Sequence, residues 1–210
     1  FGAAEKVVTT KELIDKSTLA NLKIKCIVLK HPNIRKKMTY AEELEYIVSN
    51  EKRIDFVVNL LRHLNGNTLC LFQLVEKHGK ILNDKMKGSE NVYFVYGGTD
   101  TSDREKIRGL VETHTKSTTI ASFGVFSTGI NIRNINNIVL ASPSKSKIRV
   151  LQSIGRGLRR SDIKDSILIY DIADDISYNE RRNFTLNHFT ERLNIYNEEQ
   201  FDYDISKVKL

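Results

Sequence analysis

Short runs of β-branched and aromatic residues alternate along this chain with segments whose apolar residues recur at helical spacing, and few folds besides a parallel α/β sheet accommodate that alternation. Strands are predicted over residues 22–29, 68–72, 92–95, 118–122, 137–141 and 166–172. Helices are predicted over 40–50 and 51–64, where Ile54, Val57, Val58, Leu61 and Leu64 form one stripe that reads as core. The run from Thr101 supplies an N-cap and acidic first-turn residues for a helix reaching about His114. A further helix is expected over 146–158. Beyond Asp175 the composition turns polar and aromatic, with Phe184, Leu186, Phe189, Leu193 and Tyr196 at loosely helical intervals over 178–197, and a short strand is expected near 201–208. A chain of 210 residues buries one good core, with room for an appendage. The expected organisation is a connecting segment over 1–21, an α/β lobe over 22–176, and a helix with a short strand packed on it over 177–210.

Composition narrows the function. No stretch approaches the roughly 18 apolar residues of a membrane span and no signal peptide opens the chain, so the expectation is a soluble, cytoplasmic protein. Cys26 and Cys70 sit inside apolar strands and read as buried thiols in a reducing compartment. The histidines are scattered without ligand spacing, which argues against a metal site built by this chain. Asp171, Asp174 and Asp175 close a strand, where a solvated loop or a tie to arginines is the simpler reading than a cation site. The net charge of +7 is uneven: Lys145, Lys147, Arg149, Arg156, Arg159, Arg160 and Lys164 face the single acid Asp162 within one stretch. Such clustering is the electrostatic footprint of a phosphate-rich partner.

The most informative part of that stretch is the sequence from Gln152 to Arg160. On a helix, Gln152, Arg156, Arg159 and Arg160 share a polar edge while Leu151, Ile154 and Leu158 turn inward. Gly155 and Gly157 each cost a helix interior about 1 kcal/mol relative to Ala, which suits a backbone that must approach a ligand closely. A solvated basic helix face is the plainer alternative. The spacing Gln152-x-x-Gly155-Arg156-x-x-Arg159 resembles motif VI of superfamily two helicases and translocases. That resemblance implies that Arg156 and Arg159 reach across a cleft to ATP, one of them as the arginine finger, with Gln152 and Gly155 at the nucleotide.

Other segments agree. The run from Ser122 to Ile132 resembles helicase motif V, which implies that Thr128 and Ser122 lie at a nucleic-acid backbone and that Gly129 and Asn131 face the nucleotide; Asn131 stands where many relatives have Asp, an amide in place of a carboxylate. As a plain turn, Ser-Thr-Gly is also common. Residues 68–72 with Gln73 resemble motif IV, a strand ending in front of a DNA-facing helix. The stretch from Val95 to Arg104 resembles the glycine turn and arginine that follow the next strand, which implies Gly98 and Arg104 near a phosphate, although an N-capped helix after a glycine turn accounts for the same residues. The segments Phe1-Gly2, Val8-Thr9-Thr10, Val92-Tyr93-Phe94-Val95, Gly124 to Ile130, Lys145 to Ile148 with Val150-Leu151-Gln152, and Asp171 with Asp174-Asp175 are similar, in that order, to the C-terminal halves of phage recombination helicases. The implied fold is a RecA-like parallel sheet flanked by helices, with a C-terminal helical extension. The implied activity is ATP-dependent remodelling of branched DNA by branch migration and fork regression, with unwinding of DNA or RNA–DNA hybrids.

The chain contains no G-x-x-x-x-G-K-[ST] loop and no strand-borne acidic pair of the Walker B type. The expectation is therefore a second motor lobe that does not hydrolyse ATP alone, with ATP and Mg²⁺ held mainly by a first lobe preceding Phe1. A non-catalytic basic nucleic-acid-binding module is the competing reading. An independent nucleotide-binding enzyme with a different phosphate loop is a third.

Overall fold

In a computed structural model, residues 21–32, 34–127, 134–143 and 166–210 are described. Their strands are β1 (Asn21–Lys30), β2 (Asn67–Phe72), β3 (Val92–Val95), β4 (Ser117–Ser122), β5 (Asn137–Leu140), β6 (Ser166–Asp175) and β7 (Asp202–Lys209). They form one seven-stranded sheet in the order β3-β4-β2-β5-β6-β1-β7. Every pairing is parallel. The main helices are α1 (Tyr40–Ser49), α2 (Glu51–His63), α3 (Lys80–Lys85), α4 (Thr101–Thr113), α5 (Phe123–Ser127) and α6 (Phe184–Glu198). A π-helical turn, Val75–Gly79, leads into α3.

Both faces of the sheet are covered, which is why its central strands carry no polar-out alternation. Along β2, Leu69 and Leu71 join one core cluster with Val111, Leu186, Phe189 and Tyr196. Cys70 and Phe72 join the opposite one with Ile54, Val57, Val58 and Leu61. The α2 stripe is thus core, as its spacing indicated. Both cysteines are buried free thiols, and burial pushes the Cys70 thiol up to about 12 against a smaller opposing pull from Arg53. Strand β4 is polar in sequence yet fully buried. Its first hydroxyl, on Ser117, donates to Asn67 Oδ1 at 2.8 Å, while Asn67 Nδ2 donates to the carbonyls of Val111 and His114 at 3.0 and 2.9 Å.

The C-terminal segment departs from its expected shape. Residues 178–183 are not helical: Tyr178 and Arg181 form an antiparallel bridge, and α6 starts only at Phe184. Asn179 and Glu180 have φ of 46° and 63°, the two positive values of a type I′ turn. Strand β6 also runs on to Asp175, beyond its predicted end. The helix after β3 starts before its predicted cap: Asp100 stands in the N-cap position without a side-chain capping bond, and Thr101 is already helical. Strand β7 extends the sheet from β1 as a largely exposed edge strand bearing Asp202, Asp204, Lys207 and Lys209, charges that discourage edge-to-edge association.

Helix α6 is held at its start by a side chain from α1. The buried Glu43 carboxylate accepts the N–H groups of Phe184 and Thr185 at 2.8 and 3.0 Å, and the Asn183 amide at 3.4 Å. A carboxylate at a helix N-terminus satisfies free donors and complements the helix dipole. Glu43→Ala is expected to lower stability by about 2 kcal/mol, read as a lower urea midpoint at unchanged slope.

Candidate nucleotide and nucleic-acid site

In an open parallel sheet, ligands bind beyond the carboxyl ends of the strands. That rim carries Tyr96 to Gly98 after β3, Ser122 at the end of β4, Gln73 after β2, and Ala141 and Ser142 after β5. Ser122 is paired with Phe72 and buried, whereas Gln73 and Gly98 are exposed. The fold therefore brings Gln73, Ser122, Gly98 and Arg104 to one edge. Thr128, Gly129, Asn131, Gln152, Gly155, Arg156 and Arg159 lie outside the described residues. The segment bearing the last four leaves the same rim after Pro143 and rejoins the sheet at Ser166.

Gly98 is packed so closely that a Cβ would stand 2.7 Å from the Tyr96 ring. Arg104 staples this turn: its Nε donates to the Thr99 carbonyl at 2.8 Å, and its Nη2 donates to those of Gly97 and Tyr96 at 3.0 and 3.5 Å. Its first task is thus the shape of the glycine turn. Across the rim, Ser142 Oγ accepts the Gln73 N–H at 3.0 Å and lies 2.9 Å from Nδ1 of the buried His78, joining the loop after β5 to the turn after β2. Gly79 is needed here because a Cβ would run into the Phe72 ring.

Beneath the rim lies a buried charge network. Arg53, on α2, donates from Nε to Asp174 Oδ1 at 2.8 Å and from Nη2 to the Ala141 carbonyl at 2.7 Å. His31, after β1, approaches the same carboxylate oxygen at 2.9 Å. The arrangement fastens the carboxyl ends of β1, β5 and β6 to one helix. A second pair sits nearer the middle of β6, where Arg192 grips Asp171 through Nε and Nη2 at 2.7 and 3.0 Å and the Tyr196 hydroxyl donates to Asp171 at 2.8 Å. Asp171 and Asp174 are therefore structural ties to arginines. Among the described residues no group of three or more His, Cys, Asp or Glu could hold a metal ion.

These groups make stability depend on pH. Burial, helped by the Arg53 charge, pulls His78 down to about 3, so it is neutral and Ser142 can donate its proton to Nδ1. Burial pushes Asp174 up, but the Arg53 charge and the His31 contact more than offset this and hold it at about 2. In the unfolded chain His78 takes up a proton near pH 6.5, whereas the folded protein excludes it until about pH 3. Its contribution is complete above pH 6.5 and is lost as pH falls towards 3; the Asp174 contribution is lost below 3.8 towards 2. The stability read from urea unfolding is expected to fall as pH drops from about 6.5 to 3.5, by on the order of a few kcal/mol. His78→Gln should remove most of that slope.

Sequence reasoning missed Arg53, His31, His78, Ser142 and Arg192. A signal existed for two of them. Arg53 stands one turn before Val57, and Arg192 lies between Phe189 and Tyr196 at spacings of three and four, so both interrupt an apolar stripe. A charge on a core face asks for a buried partner.

Comparison with known proteins places this geometry. Residues 52–161 match the helicase conserved C-terminal domain. The chain is 35% identical to the ATP-dependent DNA helicase uvsW of Enterobacteria phage T4 over 228 aligned positions, covering 100% of this chain and 45% of that protein. The crystal structure of T4 UvsW superimposes with a TM-score of 0.79 at 33% identity, covering 97% of this chain and 42% of that one. The chain thus spans less than half the length of that relative. The Type ISP restriction-modification enzyme LlaBIII bound to DNA shares the fold, with a TM-score of 0.61 at 13% identity over 96% of this chain and 16% of that one. Among the described residues no helix is long and apolar enough to cross a membrane.

Proposed function

The chain belongs to the helicase conserved C-terminal domain family, and on that premise we propose that it serves as the second, RecA-like motor lobe of an ATP-dependent DNA helicase that remodels branched DNA. The observation that carries the reading is the common rim: Gln73 and Gly98 follow the carboxyl ends of β2 and β3 and Ser122 ends β4, on the edge that also holds Ser142, after which the sequence carries Gln152, Gly155, Arg156 and Arg159. ATP would sit between this lobe and a first lobe of the same polypeptide, which would supply the phosphate loop and the acidic residues for Mg²⁺. Arg156 and Arg159 would stabilise charge on the transferred phosphoryl group, with Gln152, Gly155, Gly129 and Asn131 lining the nucleotide. Thr128, Ser122, Gln73 and Gly98 would follow a DNA backbone, and Arg104 would keep the glycine turn in shape. In this reading residues 1–21 connect the lobes, 22–176 form the lobe and 177–210 complete it, in the cytoplasm of a phage-infected cell.

This assignment is tested by ATP hydrolysis of the full-length protein on branched, single-stranded and duplex DNA. Stimulation by branched DNA, with branch migration and fork regression as products, is expected. A full-length protein that binds DNA without hydrolysing ATP would instead be a binding module.

A further inference from the structure

The late start of α6 leaves a surface that the motor reading does not use. The type I′ hairpin from Tyr178 to Arg181 is closed by two backbone bonds of 3.1 and 3.0 Å. Asn183 pins its base, accepting the Ile176 N–H at 3.1 Å and donating to the Asp174 carbonyl at 3.1 Å. The hairpin, the first turn of α6 and the segment before α1 enclose an open cleft of about 210 Å³.

Lys37, Arg181 and Arg182 line that cleft, and among the described residues none of the three forms an ion pair. Glu43 also borders it, but its carboxylate is committed to the α6 amides. Arg182 is held in place by a 2.9 Å bond from Nη2 to Thr190 Oγ1. Beside these cations stand two of the chain's exposed large apolar side chains, Phe184 at 43% and Tyr40 at 39%. Their rings meet edge to face with centroids 6.2 Å apart, and His188 supports Tyr40 from 5.5 Å. A packed ring left open beside unpaired cations is the combination that binds single strands, because a base can stack on the ring while its phosphates meet the cations. A duplex keeps its base faces stacked inside, so it offers the ring no stacking partner.

The location fits a strand already running along the rim. The hairpin follows the carboxyl end of β6, three strands from β4 in the order β4-β2-β5-β6. At about 4.8 Å per strand this is about 15 Å from Ser122 across the sheet, a span that a few nucleotides cover.

We propose that the Tyr178–Arg181 hairpin and the start of α6 form a single-stranded nucleic-acid subsite, in which Lys37, Arg181 and Arg182 contact backbone phosphates and Phe184, backed by Tyr40, stacks on a base. This rests on the motor-lobe reading. The test is fluorescence anisotropy of the full-length protein with labelled single-stranded and duplex oligonucleotides across a salt series. Replacing both arginines, R181A with R182A, should flatten the salt dependence on single strands by about 1.4 in log–log slope, about 0.7 for each phosphate released. Phe184→Ala should weaken single-strand binding on the order of 10-fold at unchanged slope, with Phe184→Trp restoring it. Duplex affinity should barely change for Phe184→Ala, and hydrolysis of ATP without DNA should be retained throughout. Wild-type slope and affinity in both variants, or equal losses on single strands and duplex for Phe184→Ala, would overturn the subsite while leaving the lobe assignment intact. Absence of salt-dependent binding in the wild type would overturn the lobe assignment itself.

Discussion

Arg156→Ala in the full-length protein is expected to lower DNA-stimulated ATP turnover on the order of 10³-fold while DNA affinity stays nearly unchanged. The reasoning is electrostatic. An arginine finger acts on charge that develops only in the transition state, so its removal affects turnover more than ground-state binding. Arg159→Ala made in parallel separates the two candidates, because the finger loses turnover by orders of magnitude and a ground-state phosphate contact raises KM. Steady-state hydrolysis with saturating DNA, alongside a DNA titration, provides both readings. If hydrolysis survived Arg156→Ala and DNA affinity fell instead, the basic stretch would be a DNA-binding face.

The second large effect concerns the buried tie beneath the rim. Arg53→Met leaves the Asp174 carboxylate without its guanidinium partner and frees the Ala141 carbonyl, so a loss of about 3–5 kcal/mol is expected. Stability should recover in part when Asp174 is also replaced by Leu, since an apolar pair removes the uncompensated charge. The measurement is urea unfolding of the single and double variants; a single variant within about 0.5 kcal/mol of wild type would mean that the network carries little stability. The network also fixes where the loop after β5 begins, because Ala141 is held by Arg53 and Ser142 by His78 with Gln73. A milder Ser142→Ala variant should therefore change stability modestly.

The strands were legible because each is a short β-branched run between polar turns, and a sheet covered on both faces needs little else to declare itself. The α2 stripe was legible for the same reason: Ile54, Val57, Val58 and Leu61 all lie within the core. The strand order was not, because nothing local in Asn21–Lys30 indicates pairing with Ser166–Asp175 at the other end of the chain. Nor was the hairpin at Tyr178. Asn179-Glu180 lacks the glycine that usually marks a type I′ turn, and the aromatic spacing around Phe184 suggested a longer helix.

Within the site, motif spacing marked the residues proposed to meet ligands, while the groups that hold the rim together escaped notice. Glu43 capping a helix about 140 positions away, or His31 meeting Asp174 at a separation of 143, are tertiary facts with no local signature. Arg104 illustrates the opposite limit. Its position after the glycine turn suggested a phosphate contact, yet its guanidinium bonds the turn's own carbonyls, which the spacing alone could not distinguish.

The central claim is that this chain completes an ATP site that it cannot form alone. Calorimetric titration of ATP into residues 1–210, folded as judged by a cooperative urea transition, and into the full-length protein tests it most directly. No measurable affinity for the isolated chain, with clear binding by the full-length protein, is the predicted result. Tight ATP binding by residues 1–210 alone would contradict the account and identify an independent nucleotide-binding enzyme.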